Sequence, residues 1–247
     1  PAKIFLPGPK KALIDHLIER ISLSKKIDKI ILAIPNSKEN LFIKKYFKNK
    51  IDIFCDDEFN VLKRYYLCAK KFKTTLIVRI TSDCPLMDHR IIDEILDYYE
   101  KNKCDYISNL HPTAFPDGFD IEIFTFKALK KAYMEAKKNF EKEHVTPYIW
   151  DNPDKFIIKN YWPPYIKKTF YNKYRLTLDY LEDFLLISKI YNKFYLSDKK
   201  FSFFKIMRYL KKNPYVLRLN KKFIKVNWYR HHLNELKSIK KKDTKII

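Results

Sequence analysis

The chain contains 247 residues, of which 46% are hydrophobic and 16% aromatic, enough apolar material for the core of one large domain. No apolar run approaches the roughly 20 residues that a membrane-spanning helix needs, and the first residues lack the apolar core of a signal peptide. The formal net charge of +22 favours anionic ligands in general, but the lysines lie along the whole chain without a nucleic-acid-binding motif, so neither a specific nucleic acid nor a membrane is predicted as a partner.

Up to Asn109, predicted strands alternate with predicted helices. Apolar residues at helical spacing predict helices over residues 12–23, 37–47, 61–72 and 88–100, and short apolar runs predict strands over 30–34, 51–54, 75–80 and 105–109. The strand over 75–80 is so continuously apolar that we expect it to be buried on both faces. This alternation is typical of βαβ units and predicts an α/β fold with a mostly parallel central sheet flanked by helices.

The second half of the chain is less regular. We predict a loop over 112–118, a strand over 121–126, helices over 126–137 and 141–150, and two strands over 156–158 and 174–178 that add to one edge of the sheet. A helix over 181–192 and a basic, helical remainder from Phe201 follow, and residues 237–245 are expected to form a frayed tail. No repeat or linker divides the chain, so we predict one domain over 1–236 and a basic tail over 237–247.

The first candidate functional residue is Asp83, which follows the strand over 75–80 in the segment Thr81-Ser82-Asp83-Cys84-Pro85. Ligands of open α/β sheets bind outside the carboxyl ends of the strands, so a carboxylate at this position is a candidate metal or substrate ligand. The alternative is that Asp83 only caps the helix that begins near Asp88.

The second candidate is the acidic segment Asp117-Gly118-Phe119-Asp120-Ile121-Glu122. Asp120 and Glu122 are two residues apart, so both are predicted to project from the same face of a strand. Paired acids on one face are unfavourable unless they are solvated, protonated, or bound to a cation or a polyhydroxyl ligand. The alternative is a tight turn that leads into an edge strand with one wet face.

The third candidate is Asp179, which ends the run Tyr174-Arg175-Leu176-Thr177-Leu178 as Asp83 ends its own strand. If the two strands are neighbours, Asp83 and Asp179 form a site for a divalent cation such as Mg²⁺, which commonly binds one or two carboxylates together with substrate phosphates. Alternatively, Asp179 caps the helix that begins near Leu181.

The histidines and cysteines are weaker candidates for functional residues than these acids. His144, in Glu143-His144-Val145-Thr146-Pro147-Tyr148, is a candidate substrate ligand or acid–base group, with a packed or capping role as the alternative. His231 and His232 are interpreted as surface residues. The four cysteines (55, 68, 84 and 104) have no C-x-x-C spacing and predict reduced, largely buried thiols in a cytoplasmic protein.

Several site types are excluded by the sequence. The only two glycines, Gly8 and Gly118, are too few for a G-x-G-x-x-G or P-loop phosphate site. No G-x-S-x-G motif supports a serine hydrolase.

Taken in order, these segments resemble the cytidylyltransferase family, and in particular its spore-coat polysaccharide biosynthesis branch, which is related to the acylneuraminate and Kdo cytidylyltransferases. The resemblance covers nearly the whole chain. It is carried by residues 79–86, 116–122, 143–148, 175–179 and 181–183.

The resemblance implies a glycosyltransferase-A-like nucleotidyltransferase fold and a reaction that joins CTP to a sugar or sugar acid and releases pyrophosphate. It implies that Asp83 and Asp179 hold Mg²⁺, that Lys3 binds the phosphates, and that relatives are often homodimers. The other implied substrate-binding residues are Arg79, Asp117, Gly118, Asp120, Glu122, His144 and Arg175. For Arg79 and Arg175, the alternative is a place inside the fold, bonded to nearby carboxylates.

The chain departs from the family pattern at its start. The family opens with a strand and a loop resembling R-x-G-S-x-R-L-P-G-K, whereas here only Pro1-Ala2-Lys3 matches the end of that loop. We therefore expect the first strand and most of the phosphate loop to be missing, with an N-terminal truncation favoured over genuine loss, and the centre of the sheet to be incomplete.

Two other functions remain open. A glycosyltransferase on the same fold would use a D-x-D acid pair, for which Asp56-Asp57 is a poor match. A catalytically degenerate homologue would act as a binding or scaffold protein. The missing loop supports this alternative, and the retained acids oppose it.

Overall fold

A computed structural model describes residues 2–167 and 173–246 of the chain. Its strands are β1 (Ile31–Pro35), β2 (Asp52–Asp56), β3 (Leu76–Arg79), β4 (Tyr106–Ser108), β5 (Glu122–Thr125) and β6 (Ile158–Asn160). Its α-helices are α1 (Leu13–Ile21), α2 (Leu41–Phe47), α3 (Val61–Lys71), α4 (His89–Lys101), α5 (Phe126–Glu135), α6 (Asn139–His144), α7 (Pro147–Trp150), α8 (Leu181–Phe194) and α9 (Phe203–Lys212). None of these helices is long and apolar enough to cross a membrane.

The strands form two sheets. In the larger sheet, with the order β3-β5-β4-β6, β5 runs antiparallel to both neighbours and β6 runs parallel to β4. Strands β3, β4 and β6 therefore share one direction, and only β5 is reversed. Strands β1 and β2 form a separate parallel pair. The predicted α/β fold with mostly parallel strands is confirmed.

The larger sheet separates two hydrophobic cores. Because side chains alternate between the faces of a strand, Ile107 and Ile123 enter one core, whereas their neighbours Tyr106 and Phe124 enter the other. Helices α1, α4, α8 and α9 pack in the first core, and α3, α5, α6 and α7 pack in the second. The sheet thereby acts as a rigid platform that holds its carboxyl-end residues in place.

Strand β3 is less buried than predicted. Each residue from Leu76 to Arg79 is only half-buried, although burial on both faces was expected. Within the described residues, β3 pairs only with β5 and β1 pairs only with β2, so each has one edge without a strand partner. A missing strand at the centre of the sheet stays a prediction.

The two helix-cap alternatives are wrong. The side chain of Asp88 caps α4 by accepting a hydrogen bond from the Arg90 amide, which leaves Asp83 outside the cap. At α8 the carboxylate of Asp183, inside the first turn, accepts hydrogen bonds from the Asp179 and Tyr180 amides, both at 3.1 Å. Asp83 and Asp179 are therefore free of the capping roles that would have explained them.

Three other predicted elements differ from the structure. The helix predicted over 141–150 is two short helices, broken where Val145 takes a φ of 75°. The strand predicted over 156–158 lies at Ile158–Asn160. The strand predicted over 174–178 is reduced to one parallel bridge between Arg175 and Asp117, because its Leu176 and Leu178 amides donate to the carbonyls of two different loops, at Asp117 and at Asp83.

The expected frayed tail is packed instead. The amides of Lys237 and Ser238 donate hydrogen bonds to the carboxylate of Asp151, and the side chains of Ile239 and Thr244 are buried. The Asp151 carboxylate and the burial of Ile239 and Thr244 together dock this segment.

Candidate active site

A cavity of about 770 Å³ opens at the carboxyl ends of β3 and β4 and is lined by eight of the ten predicted site residues. These are Lys3, Arg79, Asp83, Asp117, Asp120, Glu122, His144 and Asp179. Gly118 and Arg175 do not line it. Sequence positions as far apart as 3 and 179 therefore meet in one place.

Asp83 and Asp179 are brought together as predicted. The Leu178 amide donates a hydrogen bond to the Asp83 carbonyl (2.8 Å), and the Thr177 hydroxyl donates to the same oxygen (3.1 Å). The chain before Asp179 thus runs directly beside Asp83. Both carboxylates face the cavity.

Lys3 and Asp179 form an ion pair, with 2.9 Å between Nζ and Oδ1. Burial by itself lowers the pKa of the Lys3 ammonium, but the hydrogen bond to Asp179 and the charges of Asp179 and Asp83 raise it overall. Burial by itself raises the pKa of Asp179, but Lys3 and Arg175 lower it overall. Both groups are therefore charged at neutral pH. Pro1, the other end of the predicted phosphate-binding segment, lies outside the described residues.

The donor set suits a magnesium ion that is shared with a substrate. Asp83 makes no ion pair among the described residues. Asp179 uses one lone pair of each oxygen for Lys3 and Arg175 and keeps further acceptor sites. Within residues 2–167 and 173–246, no group of three or more acidic, histidine or cysteine side chains could hold a metal by itself. Any Mg²⁺ here would need phosphate oxygens to complete its coordination, which is the usual way Mg²⁺ is bound.

Arg175 organises the site from behind. It is 1% exposed, and it donates hydrogen bonds to Asp183, Asp117 (2.9 Å), Asp179 (2.6 Å) and the Val226 carbonyl (2.9 Å). A guanidinium engaged in this way has no donor left for substrate, so the alternative of a place inside the fold is correct. Its role is to position the carboxylates of Asp117 and Asp179.

Glu122 has the same kind of role on the other side of the cavity. Its buried carboxylate accepts hydrogen bonds from Arg79 of β3, from the Tyr106 hydroxyl of β4 (2.8 Å) and from the Thr146 hydroxyl ahead of α7. Glu122 thereby links three strands and the turn ahead of α7 and supports the wall of the cavity. Arg79 donates to Glu122, but its Nε has no hydrogen-bond partner among the described residues, so this guanidinium keeps donor capacity beside the cavity.

Asp117 and Asp120 are the crowded acids of the site. Burial and the charges of Asp117, Asp83 and Glu122 raise the pKa of Asp120 well above its usual value. Burial raises the pKa of Asp117 to about 7 despite the opposing charge of Arg175. In the part of the chain that the structure describes, no cation forms an ion pair with Asp120. The pair therefore carries a proton near neutral pH.

Gly118 is a structural residue. Its φ is +103°, and a Cβ atom there would lie 2.3 Å from the backbone carbon of Leu176. Only glycine lets the loop approach residues 175–178 this closely, and this contact places Asp117 on Arg175.

His144 lies in the cavity with its ring stacked on Trp228 (centroids 3.8 Å apart, planes at 15°). Burial, assisted by the nearby charges of Arg79 and His232, lowers its pKa to about 3. At neutral pH it is an uncharged aromatic surface and not an acid.

Sequence reasoning missed the residues near the C-terminus that also line the cavity, namely Trp228, Tyr229, Arg230 and His231. His231 was interpreted as a surface residue, yet it borders this cavity. The one signal was the aromatic pair Trp228-Tyr229 within an otherwise basic stretch. The D-x-D candidate Asp56-Asp57 does not line the cavity, and Asp57 instead accepts the amide hydrogens of Phe59 and Asn60 in a local turn.

Comparison with known proteins agrees with this geometry. The cytidylyltransferase family model matches residues 4–226. The uncharacterized protein MJ1063 of Methanocaldococcus jannaschii is 36% identical over 220 residues, which is 88% of this chain and 87% of that protein. The spore coat polysaccharide biosynthesis protein SpsF of Bacillus subtilis is 26% identical over 199 residues, which is 78% of this chain and 81% of that protein.

Among solved structures, a cytidylyltransferase from Leptospira borgpetersenii serovar Hardjo-bovis superimposes with a TM-score of 0.81 at 30% identity. The match covers 88% of this chain and 90% of that one. The similarity therefore extends over nearly all of both folds.

Proposed function

Because the chain belongs to the cytidylyltransferase family, we propose that it joins CTP to a sugar or sugar acid. The products are pyrophosphate and a CMP-sugar, or a CDP-sugar where the acceptor is a sugar phosphate that attacks through its phosphate oxygen. The observation that carries the proposal is the meeting of Lys3, Asp83 and Asp179 in one cavity at the carboxyl ends of the strands. The Lys3 ammonium lies beside two carboxylates, of which Asp83 makes no ion pair among the described residues. This arrangement is suited to a triphosphate that binds together with Mg²⁺.

In this reaction a sugar oxygen attacks the α-phosphorus of CTP, and the bond from that phosphorus to the pyrophosphate oxygen breaks. Lys3 binds phosphate oxygens and offsets their charge. Asp83 and Asp179 would hold Mg²⁺, which, when bound, neutralises charge on the phosphates. Arg175 keeps Asp179 and Asp117 in position, and positioning of the two substrates supplies much of the rate.

Asp117 and Asp120, the two crowded acids, are suited to bind the sugar substrate. Asp120, which forms no ion pair within the described residues, accepts hydrogen bonds from sugar hydroxyls. The raised pKa values of Asp117 and Asp120 suit one of the two to take the proton that the attacking hydroxyl loses.

The biological setting is also a proposal. SpsF of Bacillus subtilis is named for spore coat polysaccharide biosynthesis, and we place this chain in surface polysaccharide or glycan synthesis. Four free cysteines favour a reducing compartment such as the cytoplasm. Assembly as a homodimer stays a prediction.

The test is nucleotide binding and turnover by the full product of the gene. Calorimetry with CTP, UTP, GTP and ATP, each with Mg²⁺, should show selective binding of CTP, and chelation of Mg²⁺ with EDTA should weaken it. Pyrophosphate release should then require both CTP and a sugar from a panel of sugar acids and neutral sugars. Failure of every nucleotide to bind would contradict the proposal and favour a degenerate homologue.

A further inference from the structure

Residues 226–231, here called the C-terminal wall, form one side of the cavity. Their position is unexpected because the match to the family model ends at residue 226. The wall therefore belongs to the site in space but lies, except for its first residue, outside the part of the chain that the family shares. A wall outside the shared part of the chain is suited to recognise what differs between family members.

The wall is held firmly at its start. Val226 is buried, and its carbonyl accepts a hydrogen bond from Arg175, the residue that also positions Asp117 and Asp179. Asn227 then caps the short 3-10 turn of the wall by accepting a hydrogen bond from the Tyr229 amide, and its amide group donates to the Asp243 carbonyl.

The wall is also held beyond its end. The Lys237 and Ser238 amides donate to Asp151 at 3.0 and 2.7 Å, and Leu236 is buried in the second core. A segment anchored on both sides presents its side chains in fixed positions, as a specificity element requires.

The surface that the wall presents is aromatic. Trp228 lies face to face with His144, and Tyr229 packs edge-on against Trp150 (centroids 6.3 Å apart). His111 packs on Trp150 at 4.4 Å and also lies 6.0 Å from the Tyr229 ring. These rings share the cavity with the carboxylates of Asp117 and Asp120. One cavity therefore combines apolar ring faces with hydrogen-bond acceptors.

A sugar ring in its pyranose form matches that combination. It has a face of C–H groups that packs on aromatic rings and an edge of hydroxyls that donate to carboxylates. Resting on the proposed function, we propose that the C-terminal wall is the part of the site that recognises the sugar, with Trp228 as a specificity-determining residue that stacks on the sugar ring.

The test compares Trp228→Ala and Trp228→Phe with Trp162→Phe. Trp162 is a half-buried tryptophan that does not line the cavity and donates its indole hydrogen to the Ile166 carbonyl. We expect Trp228→Ala to raise the KM for the sugar about three- to tenfold, which is the change in binding that the loss of one aromatic contact produces. CTP affinity by calorimetry should stay within about twofold, Trp228→Phe should recover part of the loss, and Trp162→Phe should change neither value.

Sugar binding is also measured without turnover, by saturation-transfer NMR in the presence of Mg²⁺ and CMP. The probes are 3-deoxy-manno-octulosonic acid, N-acetylneuraminic acid and N-acetylglucosamine. A sugar that binds the wild type but not Trp228→Ala, in a variant with native circular dichroism, supports the wall whether or not turnover is seen.

Two outcomes overturn this inference. One is equal sugar binding by Trp228→Ala and the wild type, and the other is the absence of binding for every probe. Absence of nucleotide binding overturns the proposed function instead, so the two failures are distinguishable.

Discussion

At the scale of single residues, the acids of the cavity fall into two groups that their neighbours separate. Asp179 lies between Lys3 and Arg175, whose charges hold its pKa below the usual value. Asp120 lies among Asp117, Asp83 and Glu122, and burial together with these charges raises its pKa well above the usual value. One residue type thus serves two purposes, a permanent anion for a cation and a carboxyl group that can exchange a proton.

Because Asp120 lies among other acids, replacing it should raise the stability of the protein and lower its activity. Burial and the neighbouring acids make ionisation of Asp120 unfavourable in the native protein but not in the unfolded chain. Asp120→Asn removes this difference, so the free energy of unfolding at pH 8 should rise by about 1 kcal/mol, or roughly 2–4 °C in Tm. As the pH falls towards 4, the carboxyl of the unfolded chain also takes up a proton, and the gain should shrink. Turnover should fall.

Thermal unfolding at pH 8 and pH 4 measures this, with the exposed Asp154→Asn as the control. A variant less stable than the wild type at pH 8 would show that Asp120 has a stabilising partner and would refute the argument from crowding.

The two carboxylates assigned to Mg²⁺ give a second prediction. Asp83→Asn and Asp179→Asn should each lower the rate of pyrophosphate release at least about a hundredfold, because an amide oxygen is a weaker ligand and carries no charge. The fold should stay intact, because Asp117 and Asp183 still bind Arg175 in both variants. Steady-state assays over a range of Mg²⁺ concentrations measure the effect, and wild-type turnover in either variant would rule out the two-carboxylate site.

At the scale of elements, the site depends on the loop that leads into β5 and on the segment before α8. These touch through backbone atoms at Gly118, and the contact sets Asp117 on Arg175. On the other side, Glu122 of β5 bonds to side chains from β3, from β4 and from the turn ahead of α7. The cavity is therefore built on rigid elements and cross-links, so its carboxylates do not need a ligand to be brought together.

The close approach at Gly118 predicts a large loss of stability on substitution. Gly118→Ala should lower the free energy of unfolding by about 2–4 kcal/mol, because the new Cβ collides with fixed backbone at a positive φ. Gly8→Ala is the control, because the atoms nearest to its Cβ, at 2.7 Å, belong to the His16 side chain and not to the backbone, and Gly8 has no positive φ. Its loss should be less than half as large in urea denaturation. Equal losses would show that the backbone contact has no special cost.

At the scale of the whole molecule, a strongly basic protein surrounds an acid-rich cavity. In the proposed reaction, the net charge of +22 would attract an anionic nucleotide over long distances, and the acids that line the cavity would bind the cation and the substrate hydroxyl groups. The general charge and the local charge therefore have opposite signs and different roles.

Three histidines with lowered pKa values, one on α1 packed against α8 and two in the cavity, predict an acid limit to stability. Burial lowers the pKa of His16 and of His111 to about 4, and of His144 to about 3. Below pH 6.5 the unfolded chain binds protons at these positions and the native protein does not, so their contribution is complete above that pH and is lost as the pH falls towards 4. In this pH range, each of these histidines should lower the free energy of unfolding by at most about 1.4 kcal/mol per pH unit.

Urea denaturation between pH 7 and pH 4.5 measures this slope. His111→Phe, which keeps a ring against Trp150, should reduce the slope by about one histidine's share, whereas the exposed His231→Phe should leave it unchanged. An identical slope in His111→Phe and the wild type would contradict the assignment.

Local sequence signals predicted most elements and the family, but not all of the site. The order of strands and helices up to Asn109 is confirmed because each is set by its own apolar period. The strand over 174–178 was wrong because the hydrogen bonds of its Leu176 and Leu178 amides to two different loops, both non-local, decide the path of that segment. The packed tail was missed because its docking depends on Asp151, which is 86 residues away from Lys237.

The sequence by itself determined the α/β class, the candidate acids and the family, since these depend on residue type and order along the chain. Only the tertiary structure decided that Arg175 and Glu122 hold the site together, that Asp120 stands without a cation among the described residues, and that the C-terminal wall faces the cavity. The physical reason is that charge pairing, desolvation and ring stacking depend on distances in space between residues far apart in the sequence.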